Sequence, residues 1–166
     1  AVDNESKMLE RAESNLSFFI KNNRVDLIQA DALAFLKNEP TYSYDIFVSS
    51  ETIHNFKQDY RKKIIKEIYR VLKPSGIFIN ADKYALDDEN KHKESLHWQL
   101  QEFKIKLVPL GRQDLIEEWT RHYLEDDKHE RIMKESKSIE LMKSVGFKDI
   151  NIIFREHMEM ILTARK

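Results

Sequence analysis

An open α/β sheet is the fold this sequence predicts, and three observations carry it. Short apolar runs alternate with stretches of helical periodicity, the rhythm of strands joined by crossover helices. An acidic, small or turn-forming residue stands at the carboxyl end of each run or in the turn leading to the next, and in such sheets that end is where ligands bind. Two β-prone runs close the chain around a charged turn and read as an antiparallel pair. With 166 residues, 41% of them apolar, the chain is expected to form one domain over residues 1–166.

The elements follow in order. Val2-Asp3 reads as the tip of a strand. Asn4 is a suitable N-cap for a helix whose Met8, Leu9, Ala12, Leu16 and Phe19 recur at helical spacing. Asn22-Asn23 ends that helix, residues 25–28 form a short β-prone run, and a short helix near residues 32–36 is broken by Pro40. Ile46-Phe47-Val48 is a continuous apolar run of the kind expected in a buried parallel strand. From Asp59 a helix carries Tyr60, Ile64, Ile65, Ile68 and Leu72 on one stripe, with lysines and arginines opposite. Lys73-Pro74-Ser75-Gly76 is a turn, with Ser75 expected at negative φ, and residues 77–80 are the next strand.

Residues 83–130 then interrupt the rhythm as a charged helical insertion. Leu96, Leu100, Phe103 and Leu107 share one face, Pro109-Leu110-Gly111 breaks the run, and Leu115, Ile116, Trp119 and Tyr123 line a second piece. The insertion is expected to act as a lid over a pocket or as a homodimer surface. Glu125-Asp126-Asp127 reads as a solvated helix end, and Trp98, Trp119 and Tyr123 as helix core, with the lining of a substrate pocket as the alternative. A helix over 132–145 stops at Gly146, before strands over 150–154 and 158–164.

Composition removes several function classes. Twenty-eight basic residues against 29 acidic ones leave a net charge of −1, which argues against a nucleic-acid partner held by bulk positive charge. The absence of cysteine excludes disulfides, thiolate catalysis and cysteine-based metal sites. His92 and His97 stand five apart, which does not align two ligands on a helix, and no metal site is expected. No apolar run approaches the ~18 residues of a bilayer span, so no membrane partner is expected and a cytoplasmic location is the default. The glycines, Gly76, Gly111 and Gly146, are too far apart to form G-x-G.

A carboxylate at the tip of a strand accepts both hydroxyls of a ribose, which is the reading for Asp3; sharing the N-cap role with Asn4 is the alternative. Four segments in fixed order extend this reading: Val2–Leu9, Gln29-Ala30-Asp31-Ala32-Leu33, Tyr44–Ser50 and Val71-Leu72-Lys73-Pro74-Ser75-Gly76. Together they resemble the later motifs of the class I S-adenosylmethionine (SAM)-dependent methyltransferases. The fourth is similar to that family's Leu-Lys-Pro-Gly-Gly turn, with Ser75 in place of the first glycine. Leu141–Phe147 matches its helix closing in Gly-Phe before the last two strands.

The resemblance implies a Rossmann-like class I methyltransferase sheet, mostly parallel, with an antiparallel C-terminal hairpin and the helical insertion after the family's fifth strand. It also implies that the family's first strand and glycine-rich loop are missing here, so that the chain is expected to be an N-terminally incomplete piece of a longer enzyme. SAM or S-adenosylhomocysteine (SAH) is the implied cofactor, a small molecule the implied methyl acceptor, and Asp3, Asn4, Met8, Asp31, Ala32, Ser49 and Ser50 the implied cofactor-binding residues. Asp31 would take the adenine amine, or merely cap the next helix. Met8 would pack on the adenine face, or in the core. His54 is the candidate general base, its ordinary pKa being near neutrality, or else a packing residue under the pocket. A carboxy-SAM synthase is the alternative within the same resemblance, although the sequence around Arg121 does not match that subfamily's carboxylate-holding arginine. A nucleic-acid-modifying enzyme of this fold and a non-catalytic SAM-binding module are the remaining rivals.

Overall fold

Strand pairing divides the sheet into two hydrogen-bonded groups in the computed structural model, which describes residues 1–166. In the first, β1 (Val2–Asp3) runs parallel to β2 (Ile28–Gln29). The second has the order β3-β4-β6-β5. Here β3 (Tyr44–Ser50) is parallel to β4 (Leu72–Lys83), and β6 (Glu159–Arg165) lies antiparallel between β4 and β5 (Lys148–Glu156). The sheet is therefore mixed. Six α-helices connect the strands: α1 (Ser6–Lys21), α2 (Ala32–Asn38), α3 (Gln58–Val71), α4 (Glu89–Leu107), α5 (Gln113–Asp126) and α6 (Glu135–Val145).

One face of the four-stranded group holds the core. Leu33 and Leu36 of α2, Ile64, Ile65, Ile68 and Val71 of α3 and Met142 of α6 bury against Phe78, Met160, Leu162 and Ala164. Burying such side chains stabilises by roughly 1.5–3 kcal/mol each. Strand alternation decides which apolar residues take part. Phe47 points inward against Phe78, whereas Ile46 and Val48 remain 55% and 62% exposed on the opposite face. The expectation of a wholly buried strand at 46–48 thus fails on one face, because β3 has a strand partner on only one edge and no helix covers Ile46 or Val48.

Three further expectations are corrected. The first helix buries no residue; its N-cap is Glu5, not Asn4, and Met8 is 51% exposed. The α3 stripe includes Arg61, which lies three and four residues before Ile64 and Ile65 and so falls on the buried side despite its charge. Finally, Leu72 to Lys83 forms one long strand whose register jumps from Tyr44↔Leu72 to Ile46↔Ile77. The jump accommodates Pro74-Ser75 as a bulge, and Ser75 sits there at φ 65° rather than at negative φ. Gly76 follows with its Cα so close to other backbone that a Cβ would meet the Lys73 carbonyl oxygen at 2.8 Å.

Because Ser75 carries a Cβ in the left-handed region, glycine relieves its strain. Ser75→Gly is expected to raise stability by about 1 kcal/mol, measured as a higher urea midpoint with unchanged slope. Gly76→Ala is expected to do the opposite, since its clash is with backbone.

Candidate functional site

Asp3 and Asp31 come together through the parallel pairing of β1 and β2. Asp3 stands opposite Gln29, and its carbonyl accepts from the Ala30 amide at 3.0 Å, which leaves Asp31 just beyond on the same edge. Asp3 Oδ1 accepts the Glu5 amide at 2.8 Å and closes the turn into α1. Asp31 caps α2 by accepting the Ala34 amide at 2.8 Å and also accepts the Tyr60 hydroxyl at 2.6 Å. The Tyr60 hydrogen bond holds the Asp31 carboxyl below the usual range, while burial and that same carboxylate push the phenol up to about 12. Asn4 is exposed, and Met8 follows in the first turn of α1.

A second group of side chains gathers at the carboxyl ends of β3 and β4. Ser49 and Ser50 pair with Asn80 and Ala81, and the chain then turns at Glu51, a non-glycine residue at φ 46°. A 3-10 turn (Ile53–Asn55) brings His54 under the sheet end, where the residue is only 6% exposed. Its Nδ1 is hydrogen-bonded to Asp82 Oδ1. Asp82, last but one in β4, also accepts the amides of Ile53 (2.9 Å), His54 (3.3 Å) and Lys83 (3.0 Å) and the Asn80 side-chain amide (3.3 Å). The carboxylate is saturated with donors, which is what a buried charge requires.

The insertion supplies the other wall. Helix α5 projects His122, Tyr123 and Asp126 toward His54 and Lys83. Asp126 is 5% exposed, which overturns the expectation of a solvated helix end at 125–127. Its Oδ2 lies 2.5 Å from Lys83 Nζ, 3.3 Å from His122 Nε2 and 3.7 Å from His54 Nε2. The Lys83 ammonium also sits 3.9 Å above the Tyr123 ring. Tyr123 packs edge-on against Phe103, burial pushes its phenol up, and the carboxylates of Glu159 and Glu51 add to the shift. Burial also lowers the His122 pKa, with Asp126 opposing. Deeper in the insertion, His92 Nε2 contacts Asp127 Oδ1 at 2.5 Å.

Glu51 reaches solvent, unlike Asp82 and Asp126. Partial desolvation, together with the Glu159 and Asp82 carboxylates, pushes it up to about 7, and His54 opposes that shift. Beneath the site Arg61, buried by α3, donates to the carbonyls of Ile53 (3.2 Å), His54 (3.1 Å), Phe56 (2.7 Å), Arg131 (2.6 Å) and Ile132 (3.4 Å). Burial brings its pKa down to about 10 even with Asp82 and Asp126 nearby.

Sequence reasoning named His54, Ser49 and Ser50 but missed the roles of Asp82, Lys83, His122, Asp126 and Glu159 around them. The available signals were the polar residues of Asn80-Ala81-Asp82-Lys83 at a strand end and the one-turn spacing of His122 and Asp126, which puts both on one helix face.

Comparisons with known proteins add to this geometry. Residues 1–80 match the model of the methyltransferase domain family. The carboxy-S-adenosyl-L-methionine synthase of Shewanella loihica is 33% identical over 89 residues, covering 54% of this chain and 35% of that protein. The protein of the same name from Nautilia profundicola is 28% identical over 159 residues, covering 93% of this chain and 61% of its own length. The chain thus spans between 35% and 61% of these relatives. Among solved structures, a SAM-dependent methyltransferase from Archaeoglobus fulgidus superposes with a TM-score of 0.64 at 13% identity, covering 99% of this chain and 74% of that one. PigF with SAH gives 0.60 at 14% identity, covering 99% and 42%. At these identities the structures establish a shared fold.

Two outcomes test the site. Arg61→Lys keeps the charge but not the planar fork, and five carbonyls then compete for one ammonium. It is expected to cost about 2–4 kcal/mol by urea unfolding. For Glu51, the folded state keeps a proton that the unfolded chain has lost between the ordinary glutamate pKa and about 7. Stability therefore falls as pH rises through that window and is level above it. Glu51→Gln removes the fall. Its melting temperature is expected to exceed that of the parent at pH 8 by ~2–4 °C, equivalent to about 1 kcal/mol after discounting for solvent contact, and to match it near pH 4.

Proposed function

We propose that this chain, whose residues 1–80 match the methyltransferase domain family, is a class I SAM-dependent methyltransferase that serves transfer of the SAM methyl group to a small-molecule acceptor under the insertion, residues 83–130. The observation that carries this reading is that the Asp3–Asp31 pair and the Ser49–Ser50–Glu51 turn each stand at the carboxyl ends of parallel strands, the first in the β1-β2 pair and the second in the β3-β4 pair.

The residues present suit the adenosine part of the cofactor. Asp3 keeps one carboxylate oxygen without a protein donor, free to accept ribose hydroxyls. Asp31 is occupied as cap and as acceptor for Tyr60, but each carboxylate oxygen has a second lone pair for an amine donor. The Ala32 amide, at the first position of α2, is among the donors a helix leaves unpaired. Asn4 and the exposed Met8 border the same edge. SAM brings an already activated methyl group, so the protein mainly has to align donor and acceptor. Ser49 and Ser50 line the approach.

The proton-accepting role expected of His54 passes, in this reading, to Glu51. Both His54 ring nitrogens face buried carboxylates, Asp82 and Asp126, whereas Glu51 opens to solvent at the strand end. Glu51 takes the proton the acceptor releases, and His54 positions the loop. Carboxy-SAM synthesis is the second reading, favoured by 28% identity to the Nautilia protein over 93% of the chain. A cytoplasmic location fits the cysteine-free composition, and no helix is long and apolar enough to cross a membrane. Self-association through the insertion would cover Ile105, Val108 and Leu110, which are 64%, 50% and 70% exposed.

Isothermal titration with SAM and SAH tests the cofactor. Saturable binding weakened about 10-fold by Asp3→Asn, the loss of one or two hydrogen bonds, is expected; an Asp3→Asn variant that binds as the parent does would sink the assignment. With an acceptor in hand, Glu51→Gln is expected to lower kcat about 100-fold and leave the SAM affinity unchanged. Mass spectrometry of the products separates the readings: SAH with a methylated acceptor for the first, SAM bearing an added carboxyl group for the second.

A further inference from the structure

We propose that His54, His122 and Asp126 form a binding site for a divalent transition-metal ion, with Zn2+ the fitting ion. The inference is independent of SAM binding. One ligand atom from each residue lies within 4.8 Å of the other two. A tetrahedral ion with bonds near 2.0–2.2 Å requires ligand atoms about 3.3 Å apart. Asp126 Oδ2 stands 3.3 Å from His122 Nε2 and 3.7 Å from His54 Nε2, so small side-chain adjustments close the set. Two imidazoles and one carboxylate are a nitrogen-oxygen donor set that suits zinc and its first-row neighbours.

Two independent features point to a missing ligand. Asp126 Oδ1 is buried without any hydrogen-bond partner, in a residue 95% removed from solvent by its 5% exposure. An unpaired carboxylate oxygen in such a place is costly unless a cation or water satisfies it. The second feature is Asp82. By binding His54 Nδ1 it fixes the tautomer that leaves the Nε2 lone pair facing Asp126, the carboxylate–histidine arrangement that supports metal-bound imidazoles. A cavity of about 20 Å³ bounded by His54, Lys83, Tyr123 and Asp126 leaves room for one water as a fourth ligand. His122 keeps about half its side chain in solvent and provides the entry.

The alternative set Glu51–His54–Asp82 is weaker. Asp82 is already saturated by backbone and side-chain donors, and it occupies the His54 nitrogen that faces it. Lys83 is the competitor at the proposed site, its ammonium resting 2.5 Å from Asp126 Oδ2. Protein and metal therefore contend for one carboxylate, and the ion would bind α5 to the end of the sheet in place of part of that contact. The sequence shows only the one-turn spacing of His122 and Asp126, because the third ligand comes from a turn after β3 some seventy residues earlier (54 against 122 and 126).

The test is titration of the full chain with Zn2+ by calorimetry, and with Co2+ followed by its visible absorption. One ion per chain is expected, with the bands of four-coordinate cobalt. His122→Ala, half-exposed and so tolerated by the fold, is expected to weaken binding at least ~10-fold, and Asp82→Asn by ~10–100-fold as a supporting residue. Lys83→Met is expected to strengthen it by removing the competing charge, a change that a purely structural cluster would not produce. Absence of saturable Zn2+ binding, or equal affinity in the parent and His122→Ala, overturns the proposal.

Discussion

The buried guanidinium of Arg61 is the interaction on which the site's geometry depends. It enters the core from α3 and donates to carbonyls of two separate segments, the turn at Ile53–Phe56 and the turn at Arg131-Ile132 that follows α5. These segments carry His54 on one side and lead out of α5, which carries Asp126, on the other. Such irregular backbone cannot satisfy its own carbonyls, and a buried polar group without a partner costs about 1–3 kcal/mol. Arginine is the side chain suited to this, since its fixed fork of donors remains charged even when burial lowers its pKa. Arg131 reciprocates by donating to the Asn55 carbonyl at 2.9 Å.

Above that anchor, charge is organised in layers. Asp82 takes up backbone donors and one nitrogen of His54; Asp126 faces the other nitrogen, His122 and Lys83; Glu51 and Glu159 crowd one another at the solvent edge. The insertion is held over this assembly by apolar and polar contacts alike. Phe103 and Leu107 are buried, and Trp98 stacks on His157 in the β5–β6 turn at 3.9 Å. An insertion so attached is coupled to the ionisation of the groups beneath it, because Asp126 belongs both to α5 and to the cluster.

Legibility in the sequence followed the range of the interactions involved. Helix and strand runs were readable because periodicity is local: Ile64, Ile65 and Ile68 are buried as their spacing requires, and Gly146 ends α6 at φ 121°, its Cα pressed so close to Tyr69 that a Cβ would meet the hydroxyl at 2.7 Å. Asp31 was readable both as a strand-end carboxylate and as an N-cap, and it serves as the cap in fact. By contrast, the acidic run Glu125-Asp126-Asp127 is composed like a solvated helix end. Only the return of α5 onto β4 tells Asp126, buried against Lys83, from its neighbours.

By itself the sequence determined the order of strands and helices, the strand-end positions of Asp3, Asp31 and Ser49-Ser50, and the resemblance to methyltransferase motifs that the match over residues 1–80 shares, since these rest on local patterning and short motifs. The tertiary structure alone decided that Arg61 turns inward and that Ile46 and Val48 stay in water. It also decided that His54, Asp82, His122 and Asp126 converge. Those outcomes depend on which distant surfaces meet: a charge is worth burying only where enough acceptors wait for it, and no local pattern records where they will be.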